Sequence, residues 1–233
     1  AAAGDPSLLR VAQVDYVKPE QMQSQEFGYR GKLSRTFTVD AAVYRNDFQD
    51  FINTQVVLSP LYGEVGDGGL SVLAMANGDF ETWSSYTNSP AEISSWGVSI
   101  GAQTKIFGNF DLSANYTKSK LEFEQSLYPD FRTNWNTPEH KIKAQFGNTQ
   151  LFENFGFNVA WRYWSEYLWQ ASFGDGMVPE THVIDAQFNL TVPKWKSTIK
   201  VGATNLGGEE YFTAFGSGFI GTQYYISWTA NNF

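Results

Sequence analysis

The chain has 233 residues, a net charge of −8 and a mean hydropathy of −0.33, with 16 basic residues scattered along it and no cysteine. That balance excludes a nucleic-acid partner, which needs a basic stripe, and the missing cysteine excludes disulfides, thiolate metal sites and thiol nucleophiles. No run approaches the ~18–20 apolar residues of a membrane-spanning helix, and AAAGDPSLLR lacks the basic start and apolar stretch of a secretory leader.

Aromatic residues make 17% of the chain and stand beside 21 glycines, while no sustained helical period appears. Rings favour strands and membrane interfaces, so the class is all-β. Residues 1–22 read as an external loop entering a first strand at about 23–33, where Phe27, Tyr29 and Leu33 alternate with Glu26, Arg30 and Lys32. The second, about 35–47, sets Phe37, Val39, Ala41 and Val43 against Thr38, Asp40 and Tyr44. A long connection follows, and then a strand at about 93–107 sets Trp96, Val98, Ile100 and Ala102 against Gly97, Ser99, Gly101, Gln103 and Lys105. At about 109–121 Phe110, Leu112, Ala114 and Tyr116 alternate with Asp111, Ser113, Asn115 and Thr117. Further strands fall at about 140–149, 155–166, 181–192, 197–205 and 222–232. Most match the ~9–11 residues needed to cross a bilayer at a tilt.

The connections alternate short and long. Short ones fall around Ser34, at Gly108-Asn109, around Phe152–Asn154 and at Pro193–Ser197; long ones at 47–92, 122–139, 166–181 and 206–221. An outer-membrane barrel sorts its loops this way, with tight inner turns and long external ones, whereas a soluble sandwich has no reason to. The apolar rows are therefore assigned to lipid and the polar rows to a wet lumen. Nine strands is an odd number, and an open sheet in lipid would leave unpaired edges that hydrocarbon does not tolerate. The nine are thus expected to be part of a larger barrel.

Candidate chemistry is sparse. His140 and His182 sit near loop–strand junctions without a nucleophile motif, so they read as rim histidines and no catalytic residue is assigned. Glu64, Asp67, Asp79 and Glu81 lie in a Gly-rich stretch without calcium-loop spacing, which reads as a flexible external loop, with no metal. The lumen-phase charges Glu26, Arg30, Lys32, Asp40, Lys105, Asp111, Lys141, Lys143, Arg162 and Asp185 either line a solute path or pair across strands to hold register. The binding candidates are loop aromatics and their polar neighbours: Arg132, Trp135, Trp164, Trp169, Phe173 and Asp175. Rings in loops stack on sugars or planar chelates; alternatively they form an outer girdle at the lipid headgroups. By phase, Trp161 and Tyr163 point to lipid and Arg162 and Trp164 inward.

YVKPEQMQSQEFGYRGKL, AAVYRNDFQDFI and VGATNLGGEEYFTAFG, in that order, resemble segments of TonB-dependent outer-membrane receptors. The later strand segments, from PEHKIKAQFGN to GTQYYISWTANNF, look like receptors of the Bacteroidota, including SusC-like transporters. The resemblance implies the C-terminal nine or so strands of a 22-stranded barrel whose lumen is plugged. It implies import of a scarce solute (oligosaccharide, peptide or metal chelate) from the cell surface to the periplasm, energised by a TonB–ExbB–ExbD complex acting through the plug. A SusD-like surface lipoprotein and outer-membrane lipid and lipopolysaccharide are the other implied partners; no cofactor is implied. The plug and its TonB-contacting box are not among these residues. Phe233 ends the chain as such barrels commonly end, though out of phase with Ile226, Trp228 and Ala230. Two other readings are a soluble β-sandwich or jelly-roll carbohydrate-binding module, and a receptor-like barrel acting as a structural partner in an envelope complex.

Overall fold

The structure, a computed structural model, describes residues 10–66 and 68–230. The start of the expected external loop, Asp67, and the end of the last strand with Phe233 lie outside the described residues. In chain order the elements are β1 (Gln21–Lys32), β2 (Thr38–Gln49), β3 (Ile52–Pro60), α1 (Leu70–Asn77), β4 (Phe80–Asn88), β5 (Ile93–Ile106) and β6 (Phe110–Glu122). Then come β7 (Phe131–Arg132), β8 (His140–Phe152), β9 (Phe155–Trp164), β10 (Tyr167–Ala171), β11 (Gly174–Val178), β12 (Thr181–Val192), β13 (Ser197–Thr204) and β14 (Gln223–Ala230).

The nine long strands form one antiparallel sheet in the order β1-β2-β5-β6-β8-β9-β12-β13-β14. Each neighbour is the next long strand along the chain, so the sheet is a plain meander. Strand β2 begins at Thr38 rather than 35 because Ser34 closes the turn. Its hydroxyl oxygen accepts from the amides of Thr36 and Phe37, and the Leu33 and Ser34 amides donate to the Phe37 carbonyl. Strand β8 continues to Phe152 through an irregularity between Asn148 and Phe152, where β9 supplies fewer residues than β8. The expected periodicity stopped at 149 because the alternation is lost there.

Register shows why the alternation has two unlike faces. Across β6, β8 and β9, Leu112, Phe146 and Val159 stand in one row, Ala114, Ala144 and Trp161 in the next, and Tyr116, Ile142 and Tyr163 beyond them. The rows continue through Phe188, Val201 and Ile226 on β12, β13 and β14. Stacked rings join them: Phe110 on Phe146, and Phe155 on Phe188. Much of this face is left uncovered, with Ile226 76%, Trp228 70% and Phe188 53% exposed. An apolar surface running across so many strands is far larger than soluble monomers show, and it fits hydrocarbon. The other face carries Asp111, Ser113, Asn115 and Thr117 against Gly147, Gln145, Lys143 and Lys141. At two of its glycines a ring lies over the gap: a Cβ on Gly97 would meet Tyr44, and one on Gly202 would meet Tyr225. The Tyr44 hydroxyl then reaches Ser119, and that of Tyr225 donates to Gln187, so the rings tie strands together.

The chain folds as two compact units: one drawn from residues up to Gln23, Asp47–Ser94 and Glu122–Asn134, the other from Ser24–Asn46, Ser95–Leu121 and Trp135 onward. The first contains a sheet of order β4-β3-β7, in which Val57 faces Trp83 and Thr54 is flanked by Tyr86 and Arg132. The stretch expected as a flexible loop holds α1, which has no polar N-cap side chain and ends on Gly78 in the left-handed region (φ 80°), whose amide reaches Ala74 and Met75. Its signal was weak because LSVLAMAN is short and apolar all round. Asp79 accepts the Tyr62 hydroxyl there, and no group of metal-ligating residues forms among the described residues. The second unit holds the long sheet and the structured connections 165–180 and 205–222.

Candidate functional site

The long connections all leave the same end of the meander, and in the second unit they build a mouth over the polar face. After β9, the chain forms the hairpin β10–β11, in which Trp169 faces Gly176 and Gln170 faces Asp175. Asn136 grips this hairpin as a strand would. Its Nδ2 donates to the Gln170 carbonyl (2.9 Å) and its Oδ1 accepts from the Gln170 amide (2.7 Å). Asn136 itself sits at φ 43°, a left-handed conformation that asparagine tolerates better than most residues. The Tyr167 hydroxyl donates to the Thr213 carbonyl at 2.7 Å, and burial pushes its pKa up, so it stays a donor. Phe215 lies against Gly176, where a Cβ would strike its ring, and Phe173 lies against Gly216.

The connection 205–222 is anchored by Asn205, which is 1% exposed and adopts φ 52°. Its Nδ2 donates to the Glu209 carbonyl (3.0 Å) and the Ile220 carbonyl (3.4 Å), while its own carbonyl accepts the Thr222 hydroxyl (2.6 Å). Its amide donates to Asp185, which also receives Arg162 at 2.9 Å. One carboxylate thus ties β9, β12 and the start of the loop. Tyr211 and Ile220 exchange backbone hydrogen bonds across the same loop. Beneath lie Val178 and Val183, both fully buried, and Trp164, whose ring meets Tyr211 edge-on at 5.4 Å.

The six binding candidates are not all brought together. Trp164 and Trp169 belong to the loop-covered mouth; their indole nitrogens are buried and have no acceptor among the described residues. Trp164 therefore stands on the polar face, not in a girdle. Phe173, 71% exposed, and Asp175 occupy the hairpin tip. Arg132 lies in the first unit on β7, opposite Thr54, whereas Trp135 falls in the second. The residues that shape the mouth and that sequence reasoning missed are Asn136, Asn205, Tyr211 and Phe215. Only Asn205 left a trace, in the Asn-Leu-Gly-Gly run.

The expected rim histidines lie instead within strands on the apolar face, among rings. His140 opens β8 and its Nδ1 is 2.8 Å from the Tyr116 hydroxyl. His182 on β12 lies between Trp161 and Tyr163 and accepts the Trp161 indole at 3.3 Å. With Trp96, which takes the Lys118 ammonium over its ring at 5.2 Å, they form an aromatic band at the long-loop end of the strands. Glu139, just before β8, accepts Lys118 at 3.1 Å, and that hydrogen bond holds its carboxyl below the usual carboxylate range against the opposing effect of burial. A depressed folded-state pKa stabilises above the unfolded value and ceases to do so as pH falls through the folded one. The melting temperatures of the native protein and Glu139→Gln are thus expected to differ near neutrality and to converge below about pH 4. A gap that persists unchanged into acid would refute this pairing.

These two faces and the sorted connections define a class: the wall of an antiparallel transmembrane β-barrel. The model of the TonB dependent receptor-like β-barrel family matches residues 2–206. The chain belongs to that family, whose members are outer-membrane receptors. Among solved structures it is similar to the copper transporter OprC (TM-score 0.64, 16% identity, 92% of this chain and 31% of that one). It is also similar to the siderophore receptor PirA from Acinetobacter baumannii (TM-score 0.59, 15% identity, 91% and 32%). A third is the FrpB iron transporter from Neisseria meningitidis, F3-3 variant (TM-score 0.62, 13% identity, 92% and 31%). The chain spans about a third of the length of each, and at these identities the likeness is one of fold. No curated protein matches it.

Proposed function

We propose that these residues are the C-terminal wall of a TonB-dependent outer-membrane transporter that captures a scarce solute at the cell surface and carries it to the periplasm. The observation that carries this reading is the sheet itself: one uncovered apolar face, one polar face, and every long, structured connection at a single end. That end is the extracellular one in this reading, with the short turns and the C-terminus periplasmic. Family membership supports it, as do the transporters and receptors of similar fold. A water-soluble sandwich would bury the rows that lie open here, so it is not favoured.

Solute contact falls, within the second unit, to Trp164 and Trp169 in the mouth, to Phe173 and Asp175 at the hairpin tip and to Trp135; Arg132, in the first unit, is a separate candidate. The two buried indole N–H groups are donors that a solute acceptor would satisfy once the loops part, and such orphaned donors cost about 1–3 kcal/mol each while unmet. The solute is a metal chelate, an oligosaccharide or a peptide; the copper, iron and siderophore receptors of similar fold favour the first, and the resemblance of the later strands to SusC-like transporters favours the others. TonB, with ExbB and ExbD, would act through a plug contributed by a longer chain. A SusD-like lipoprotein would cover the mouth, and lipopolysaccharide would pack on the aromatic band.

The test is growth of a strain lacking the full-length gene on a panel of limiting iron, copper, peptide and glycan sources. One source is expected to become limiting and to be rescued by the native gene. Trp164→Ala with Trp169→Ala is expected to restore growth only at raised solute concentration, with binding weakened about tenfold or more. Normal growth of the deletion strain on every source would defeat the proposal.

A further inference from the structure

The polar face settles its own charge unevenly. Arg30 pairs with Asp40 at 3.5 Å, Lys105 with Asp111 at 2.8 Å and Arg162 with Asp185 at 2.9 Å. Register holding thus accounts for those charges. The ammonium groups of Lys141 and Lys143 on β8 have no carboxylate partner and no side-chain hydrogen bond among the described residues. They stand at alternate positions of one strand and so share the polar face, about 7 Å apart along it. Lys143 lies directly opposite Arg162, and Lys141 directly opposite Trp164. On the other side they face Asn115 and Thr117, which are neutral donors and acceptors.

Like charges opposite one another across a ladder destabilise it. Asp185 offsets only Arg162, since it also takes the Asn205 amide, and the other acids nearby are already paired: Asp111 on β6 with Lys105, and Glu139, just before β8, with Lys118. A chain of net charge −8 therefore concentrates unneutralised positive charge on its polar wall, in the turn of strand just beneath Trp164. A barrel interior focuses such a potential and raises the local concentration of counter-ions.

We infer that Lys141 and Lys143 form an anion site, which takes a solute presenting carboxylate or phosphate oxygens and holds it beneath the ring of Trp164. The inference deepens the transport reading and rests on it in one respect, that solute travels along the polar wall. Two ammonium groups at strand spacing grasp two separate oxygens, with Asn115 and Thr117 beside them for neutral groups. A solute with only hydroxyl groups would leave the lysines unpaired and is disfavoured.

The experiment is calorimetric titration of the full-length receptor in detergent, at low ionic strength, with citrate and with inorganic phosphate as separate probes. At least one probe is expected to bind, more weakly as salt is added. Lys141→Gln with Lys143→Gln is expected to weaken it about tenfold or more, and Lys141→Arg with Lys143→Arg to retain it, all at the native melting temperature. Failure of both probes to bind, or equal binding by the glutamine variant, overturns the site. So does a changed melting temperature with unchanged probe affinity, which would mean that a carboxylate of the receptor's own chain meets these lysines. The two readings separate cleanly. A receptor whose lysines bind the probe but whose deletion starves the cell of nothing keeps the site and loses the transport role; the reverse result keeps transport and loses the site.

Discussion

Asn205→Ala is expected to destabilise the receptor by about 2–4 kcal/mol and to loosen the connection 205–222. Alanine removes the donor that serves the Glu209 and Ile220 carbonyls; the Ile220 carbonyl keeps the Tyr211 amide, so the loss falls on the Glu209 end of the loop. It also places a Cβ residue without a polar side chain at φ 52°, where asparagine is tolerated through its local hydrogen bonds. The amide bond to Asp185 survives the substitution, so the Arg162 pair is spared and the loss is confined to the loop. Asn205→Gly separates the contributions. It accepts the backbone conformation and still lacks the donor, so its melting temperature should fall between those of the native protein and the alanine variant. Because Tyr211 holds Trp164 through this loop, tryptophan emission should shift to the red in both variants. A melting temperature and emission spectrum unchanged in Asn205→Ala would show that the loop is held by other means.

Gly156→Ala is expected to have an effect of a different kind, a loss of folded receptor rather than a loosened loop. A Cβ at this position would collide with the Thr149 carbonyl oxygen and fall 2.6 Å from its carbon and 2.7 Å from the Asn148 oxygen. All three are main-chain atoms, which cannot rotate aside as a side chain can. They belong to the stretch of β8 whose pairing with β9 is irregular, so relief means re-registering the ladder from Asn148 to Phe152. Overpacking against backbone costs about 1–3 kcal/mol or more, and here a register slip would also carry apolar residues to the wrong face. The folded fraction of detergent-extracted receptor should fall several-fold. Gly218→Ala, with nothing within 4 Å of its Cβ, should leave it unchanged. Equal folded fractions for the two variants would contradict the geometry.

Much of this architecture is legible in the residues because a membrane barrel writes its two solvents onto alternate positions. Leu112 and Ser113 are assigned to opposite faces by period alone, and the register then pairs Leu112 with Phe146 and Ser113 with Gln145. Turn chemistry located the hairpin ends, though the turn at Ser34 takes in residues 33–37 where the alternation had left only its immediate surroundings outside the strands. The elements that period could not reveal are those without it. Strands β3 and β4 run through INTQVVLSP and FETWSSYTN, where polar and apolar residues do not alternate cleanly, and α1 has neither a capping side chain nor an amphipathic stripe.

The mouth was legible only as a supply of rings. Its order depends on side chains acting as pieces of backbone. Asn136 substitutes for a strand partner of Gln170, and Asn205 for a turn, and neither role has a sequence signature beyond asparagine's tolerance of the left-handed region. The lumen charges show the same limit. Alternation put Arg162, Asp185, Lys141 and Lys143 on one face, but only distances sort the paired from the unpaired, because partners come from strands far apart in the chain.

Strands β1 and β14 lie at the two margins of the long sheet, each paired on one side alone among the described residues. This bears on the timing of biogenesis. Neither water nor hydrocarbon can satisfy both a bare margin and the face beside it, so these strands have no resting place as a separate body. Their entry into the membrane must be coupled to that of whatever completes the ring, and any chaperone must hold them until then. A cell that makes this segment by itself, from a broken message or a cloned piece, would accumulate material that its envelope proteases have every reason to destroy.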